Sequence, residues 1–111
     1  MEALTRIIFV DEKREKFFGE GPYRLLLAVE ETGSLHKAAQ SMGMAYTKAL
    51  KLVRQAEEAL GFPFLERMTG GVSGGGSHLT AKGKEWMECY EGYRNACVEA
   101  NRELYLDFFS K

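Results

Sequence analysis

Residues 33–61, GSLHKAAQSMGMAYTKALKLVRQAEEALG, constrain the fold more than any other stretch. Leu35, Ala38, Ala39 and Met42 recur at i, i+3, i+4 and i+7, one apolar face of a short helix. Ser34 is placed to cap it, because a serine hydroxyl can accept a bond from an unpaired N–H of the first turn. Gly43 supplies the reversal, since glycine adopts positive φ without a Cβ penalty. A second helix follows from about Ala45, with Ala49, Leu50, Val53 and Leu60 facing inward, and Gly61 closes it. Helix, glycine turn, helix is the pattern whose second helix enters the major groove of DNA.

Charge is distributed to match. The net charge of −1 does not by itself suggest nucleic acid. Residues 1–31 carry 5 basic and 7 acidic groups, and residues 85–111 carry 3 and 6. Residues 32–84 carry 7 basic groups against 3 acidic, and no Asp or Glu occurs from Thr32 to Ala56. Local charge of this kind governs phosphate attraction. The plain alternative is a solvated face, since the excess is modest.

Before this unit, LTRIIFV over residues 4–10 carries a strand signal, and Lys16-Phe17-Phe18 reads as the returning strand of a hairpin spanning 4–18. Pro22 suits the first position of a supporting helix that runs to about Thr32, with Leu25, Leu26 and Val29 buried and Gly33 ending it. Beyond it, Phe64 to Met68 and His78-Leu79-Thr80 read as two strands around TGGVSGGGSH, with five glycines between Gly70 and Gly76. That is a wing over residues 64–79. A nucleotide phosphate cradle is the rival reading, but the loop lacks a Gly-Lys-Ser/Thr ending. A hairpin tip with no partner is the plainer one.

Thr80 caps a last helix running from about Ala81 to near Phe109. Trp86, Tyr90, Tyr93, Cys97, Ala100 and Leu104 are spaced 4, 3, 4, 3, 4, a heptad seam. At ~1.5 Å per residue the helix is roughly 40 Å long, longer than the small domain beside it. The seam, extended by Phe108, predicts a homodimer through residues 80–111, against the alternative that it packs within one protomer.

The expected architecture is therefore mainly α with small β (α+β). A winged helix-turn-helix occupies residues 1–79, with the helix-turn-helix at 34–60, followed by the long dimerisation helix. Thr47, Lys48 and Lys51 share the outer face of the recognition helix (residues 45–60) and are candidates for base contact. Ser34, Lys37, Tyr46 and Arg54 are candidates for phosphate, and Arg67, Ser77, His78 and Lys82 flank the wing in reach of phosphate or the minor groove.

Other chemistries have little support. His36 and His78 show no metal-ligand spacing. Cys89 and Cys97 lie too far apart on one helix to bridge, and read as free thiols of a reducing compartment. No catalytic set emerges, and Glu30-Glu31 and Glu57-Glu58, at helix ends, read as solvated surface. The expectation is a cytoplasmic protein that is not an enzyme, with no cofactor, no metal and no membrane span.

The run GEGPYRLLLAVEETGSLHKAAQSMGMAYTKALKLV, followed by ERMTGGVSGGGSHLTAKGKEW, resembles the N-terminal DNA-binding domain of ModE-type molybdenum-responsive regulators, relatives of the LysR-type domain. TGS, AAxxMGMxY and GGxxGGGxxLTxxG carry the likeness, over residues 19 to about 93. The resemblance implies a dimeric winged helix-turn-helix that binds a pseudo-palindromic operator in double-stranded DNA. Family regulators carry a molybdate-binding region after the long helix. Nothing up to Lys111 looks like an oxyanion pocket, so molybdate sensing is not carried over and no ligand-sensing domain is expected in this chain. Ala45 stands where the pattern has a serine cap, and Val72 where a basic residue would grip phosphate. These departures keep a second function open, a protein-interaction module built on the same helices. A third is a DNA-binding half served by a separate effector protein.

Overall fold

The computed structural model describes residues 1–67 and 76–109, so the glycine-rich tip of the wing, with Val72, lies outside the described residues. Two short strands, β1 (Phe9–Val10) and β2 (Lys16–Phe18), precede three helices, α1 (Glu20–Thr32), α2 (Leu35–Ser41) and α3 (Tyr46–Leu60). A second hairpin, β3 (Leu65–Arg67) and β4 (Ser77–Leu79), leads into α4 (Ala81–Phe109). Both hairpins are antiparallel, and the second pairs Leu65 with Leu79, Glu66 with His78 and Arg67 with Ser77. This is the α+β winged helix-turn-helix that the sequence predicts.

The N-terminal strand is shorter than expected. Only Phe9 and Val10 pair with β2, and residues 1–5 lie beside α4 instead. The Asn101 side-chain amide donates to Ala3 O at 2.8 Å and Thr5 Oγ1 at 2.7 Å, and the Tyr105 hydroxyl donates to Met1 O at 2.7 Å. Thr5, Ile7 and Phe9 are half-buried while Arg6, Ile8 and Val10 are exposed. The period-2 alternation is that of a strand, and the surface it covers is a helix. Strand propensity measures fit to a half-buried surface, not the identity of the partner.

Helix boundaries shift for local reasons. α1 begins at Glu20, ahead of Pro22, and the Tyr23 N–H donates to Gly19 O at 3.1 Å. Gly33 ends α1 in the left-handed region at φ 76°, its N–H donating to Val29 O at 2.7 Å. Ser34 Oγ accepts from Lys37 N at 3.1 Å and caps α2 as expected. Ala45 caps α3 in extended geometry with no side-chain bond, so the first turn of α3 lacks the help a serine would give.

The core is built from all the helices and both hairpins. Phe18, Leu25, Leu26, Val29, Ala38, Ala49, Ala56 and Phe64 are fully buried. Each Phe, Leu or Val placed there contributes roughly 1.5–3 kcal/mol. On α3, Ala49, Val53 and Ala56 are buried, whereas Leu50 and Leu60 are only half-buried. Small residues on this face let α3 sit close to its neighbours. Gly83 does the same for α4, because a Cβ there would press on Phe64 O and Cδ1 at 3.1 Å.

Tyr90 belongs to this core, and half-buried Trp86 packs against it. Trp86 stands edge-on to Phe9 at 5.2 Å and Phe18 at 5.6 Å, and Tyr90 meets Phe18 and Tyr23 at 5.0 Å each. The chain's own hairpin and α1 thus bury Tyr90 and cover part of Trp86. Beyond them α4 emerges: Tyr93 and Leu104 are each 55% exposed and Phe108 71%, and the chain extends 62 × 29 × 25 Å. Among the described residues no helix is long and apolar enough to cross a membrane.

Candidate nucleic-acid interface

α3 presents Thr47, Lys48, Lys51 and Arg54 to solvent, opposite buried Ala49, Val53 and Ala56. At 3.6 residues per turn the four lie on one face within two turns of the helix start. Gly43, at φ 63°, turns the chain between α2 and α3, and the Met44 N–H closes the turn on Ala39 O at 2.9 Å.

Three elements meet beside this face. Ser34 and His36 from the start of α2, Tyr46 from the start of α3, and Arg67 and Ser77 from the base of the wing line one groove. Tyr46, Arg54, Arg67 and Ser77 share a second groove between α3 and β3, with Glu57 and Glu66. The fold therefore gathers Ser34, Tyr46, Arg54, Arg67 and Ser77. Lys37 is exposed on α2. Lys82 does not join them: it lines a groove on α4 with Phe62, Glu85, Trp86 and Cys89.

His78 is engaged where it stands. Its Nε2 meets Glu66 Oε2 at 2.8 Å across the β3–β4 pair. That contact sets a carboxylate next to a residue chosen as a phosphate donor. Ser34 keeps its donor role open, because its oxygen accepts from Lys37 N while its hydroxyl proton remains to be given.

The wing base is anchored by residues that sequence reasoning placed on the surface. Glu30 Oε1 accepts from Leu79 N at 2.7 Å, and Glu57 Oε2 accepts from Phe64 N at 2.7 Å. Neither glutamate is merely solvated. Ser77 N donates to Gly33 O at 2.8 Å, and a Cβ on Gly76 would overlap that same carbonyl. Thr80 Oγ1 donates to Pro63 O at 2.6 Å while accepting from Gly83 N at 3.0 Å. The hairpin thus leaves the body at an angle set by the carboxylates of Glu30 on α1 and Glu57 on α3 and by the carbonyls of Gly33 and Pro63. The only signal available in sequence was that Glu30 and Glu57 each sit four residues or fewer before a helix-ending glycine.

A polar knot joins α1 to α4 behind the interface. Arg94 Nη1 reaches Glu20 at 3.0 and 3.1 Å, Tyr90 OH donates to Glu20 Oε2 at 2.9 Å, and Tyr23 OH donates to Glu91 Oε2 at 2.8 Å. The Arg94 guanidinium lies over the Tyr23 ring at 4.9 Å. Burial raises the Glu20 carboxyl, but the bonds from Tyr90 and Arg94 and the Arg94 charge together hold it below its ordinary value. Burial, and then the bond to Glu20, push Tyr90 up to about 12.

Comparison with known proteins agrees with this geometry. Residues 22–84 match the bacterial regulatory helix-turn-helix proteins of the lysR family. The chain is 31% identical over 88 residues to the transcriptional regulator ModE of Haemophilus influenzae, covering 79% of this chain and 31% of that protein. It is 36% identical over 77 residues to the molybdenum transport protein ModE of Herbaspirillum seropedicae, covering 69% and 29%. The DNA-binding transcriptional dual regulator ModE of Escherichia coli K12 is 29% identical over 89 residues, covering 78% and 34%. The chain spans about a third of the length of these curated relatives. With the family match covering α1 through the start of α4, the chain belongs to the lysR family of bacterial regulatory helix-turn-helix proteins and carries a ModE-like domain.

Proposed function

We propose that this chain is a DNA-binding transcriptional regulator that acts as a homodimer on a pseudo-palindromic site. The observation that carries the reading is the exposed face of α3. It offers Thr47, Lys48, Lys51 and Arg54, within a stretch from Thr32 to Ala56 that holds no carboxylate. Lys donates to guanine O6 and N7, and Thr bonds a base edge or touches a thymine methyl. Ser34, Lys37, Tyr46, Arg67 and Ser77 flank that face, where the strand backbone would pass. The relatives named as transcriptional regulators support the same reading.

The dimer rests on the exposed stripe of Tyr93, Ala100, Leu104 and Phe108, with Cys97 half-buried among them. A two-fold axis along this stripe would hold two α3 helices at a fixed separation. Selection of bound duplexes from a random library tests both parts. Enriched half-sites about one helical turn (~34 Å) apart, or a multiple of it, support reader and dimer together. Failure to enrich any sequence, with binding indifferent to Lys48→Ala plus Lys51→Ala, would sink the reading.

A protein-interaction module is the second reading. The Glu66–His78 pair favours it, since it sets a carboxylate on the wing beside a candidate phosphate donor. A stoichiometric protein partner, with no DNA affinity even at low salt, would select it.

A further inference from the structure

His36 and Tyr46 come from different helices and stack on one another. Their ring centroids are 4.9 Å apart and their planes 29° from parallel. Both residues are exposed, so the stack is not part of the core. It forms one wall of the groove lined by Ser34, Arg67 and Ser77. Among the described residues the groove offers two serine hydroxyls, a phenol, a guanidinium and an imidazole, and no carboxylate. A concave donor set of this kind fits the oxygens of a phosphate diester.

We propose that His36 is a contact to the nucleic-acid backbone, held against the groove by Tyr46, and that its charge makes binding pH-dependent. The inference rests on the DNA-binding reading above. A neutral imidazole has one N–H to give, and a protonated one has two and a positive charge, a change that falls between about pH 5 and 8. A phosphate at the groove favours the charged ring, so binding takes up a proton. The charged group that shares the groove with the stack is Arg67 from β3, and Lys37 follows His36 on the exposed surface of α2. Arg54, Glu57 and Glu66 line the adjoining groove, where Glu57 is occupied by Phe64 N and Glu66 by His78.

Phosphate contacts are independent of sequence, so a short duplex of mixed sequence suffices as the probe. Affinity is measured by fluorescence anisotropy across a salt series at about pH 6 and about pH 8. The wild-type chain is expected to bind about fivefold tighter at the lower pH, with a salt slope steeper by about 0.9, the effect of one added phosphate contact. His36→Gln removes both differences, and His36→Lys shows the steeper slope at both pH values. His36 is exposed, so these variants fold, which a thermal melt verifies. Equal slopes at the two pH values in the wild type, or a pH dependence that survives His36→Gln, overturn the inference alone. No binding at any salt or pH overturns it together with the DNA-binding reading.

Discussion

The carboxylate of Glu30 accepts the backbone N–H of Leu79 at 2.7 Å, across 49 positions of sequence. Leu79 pairs with Leu65, and two residues earlier Ser77 pairs with Arg67 and gives its own N–H to Gly33 O. In an antiparallel ladder alternate residues turn their N–H groups away from the partner strand. The end of α1 meets both outward groups of β4, one with a side chain and one with a carbonyl. It does for this hairpin what a third strand would do.

Removing that acceptor should loosen the wing base. Glu30→Ala leaves the Leu79 N–H unpaired and is expected to cost about 1–3 kcal/mol in urea denaturation, whereas Glu30→Gln keeps an acceptor and costs much less. Equal melting of the two variants would show that Glu30 is solvated after all.

The bare cap of α3 is a stability reserve. Ala45 is already in the extended geometry of a cap, with φ −64° and ψ 141°. Ala45→Ser is expected to stabilise the chain by about 0.5–2 kcal/mol, several degrees in a thermal melt. No gain would mean that the serine hydroxyl fails to reach the first turn.

The exposed and buried halves of the seam should respond differently. Trp86→Ala empties the aromatic core and costs about 3–5 kcal/mol, enough to unfold a marginal domain. Leu104→Glu leaves the protomer folded, and weakens self-association by at least about tenfold in sedimentation equilibrium, as a desolvated charge in an apolar interface demands. A folded Leu104→Glu protein that associates like the wild type would remove this stripe from the interface.

The α1–α4 knot should set the pH limits of stability. Tyr90, raised to about 12, contributes stability in full below the ordinary tyrosine value of 10.0 and loses it as pH climbs from there. Tyr90→Phe is expected to flatten the alkaline loss, which is on the order of 2 kcal/mol. Glu20 is lowered from 4.5, so its contribution holds above that pH and fades as acid protonates it. Glu20→Gln should flatten the acid limb. Denaturation midpoints measured across the pH range check both, and an unchanged profile in either variant would detach that residue from the knot.

Much of this protein was legible in local pattern. The spacing of Leu35, Ala38, Ala39 and Met42, the serine before them and Gly43 after them are enough to specify α2 and its turn. Gly33 and Gly61 end helices where the left-handed conformation is required, at φ 76° and 79°. Each of these signals acts within a few residues, so no distant partner can alter it. Even the alternation of Thr5, Ile7 and Phe9 survives as alternate burial.

What only the tertiary structure decided is which partner each face and each polar group meets. The heptad spacing of α4 is the same whether an aromatic residue packs on a hairpin or on a second helix. Phe9 and Phe18 resolve it for Trp86 and Tyr90, while Tyr93 and Leu104 stay exposed. Glu30 and Glu57 looked like any glutamate at a helix end until the backbone N–H groups of Leu79 and Phe64 arrived beside them. His36 and Tyr46, ten positions apart, touch only because Gly43 folds one helix back on the other. Periodicity states that a surface is apolar and a carboxylate that an acceptor is available. Which group satisfies each depends on contacts between residues far apart in the chain, and those exist only once the chain has closed on itself.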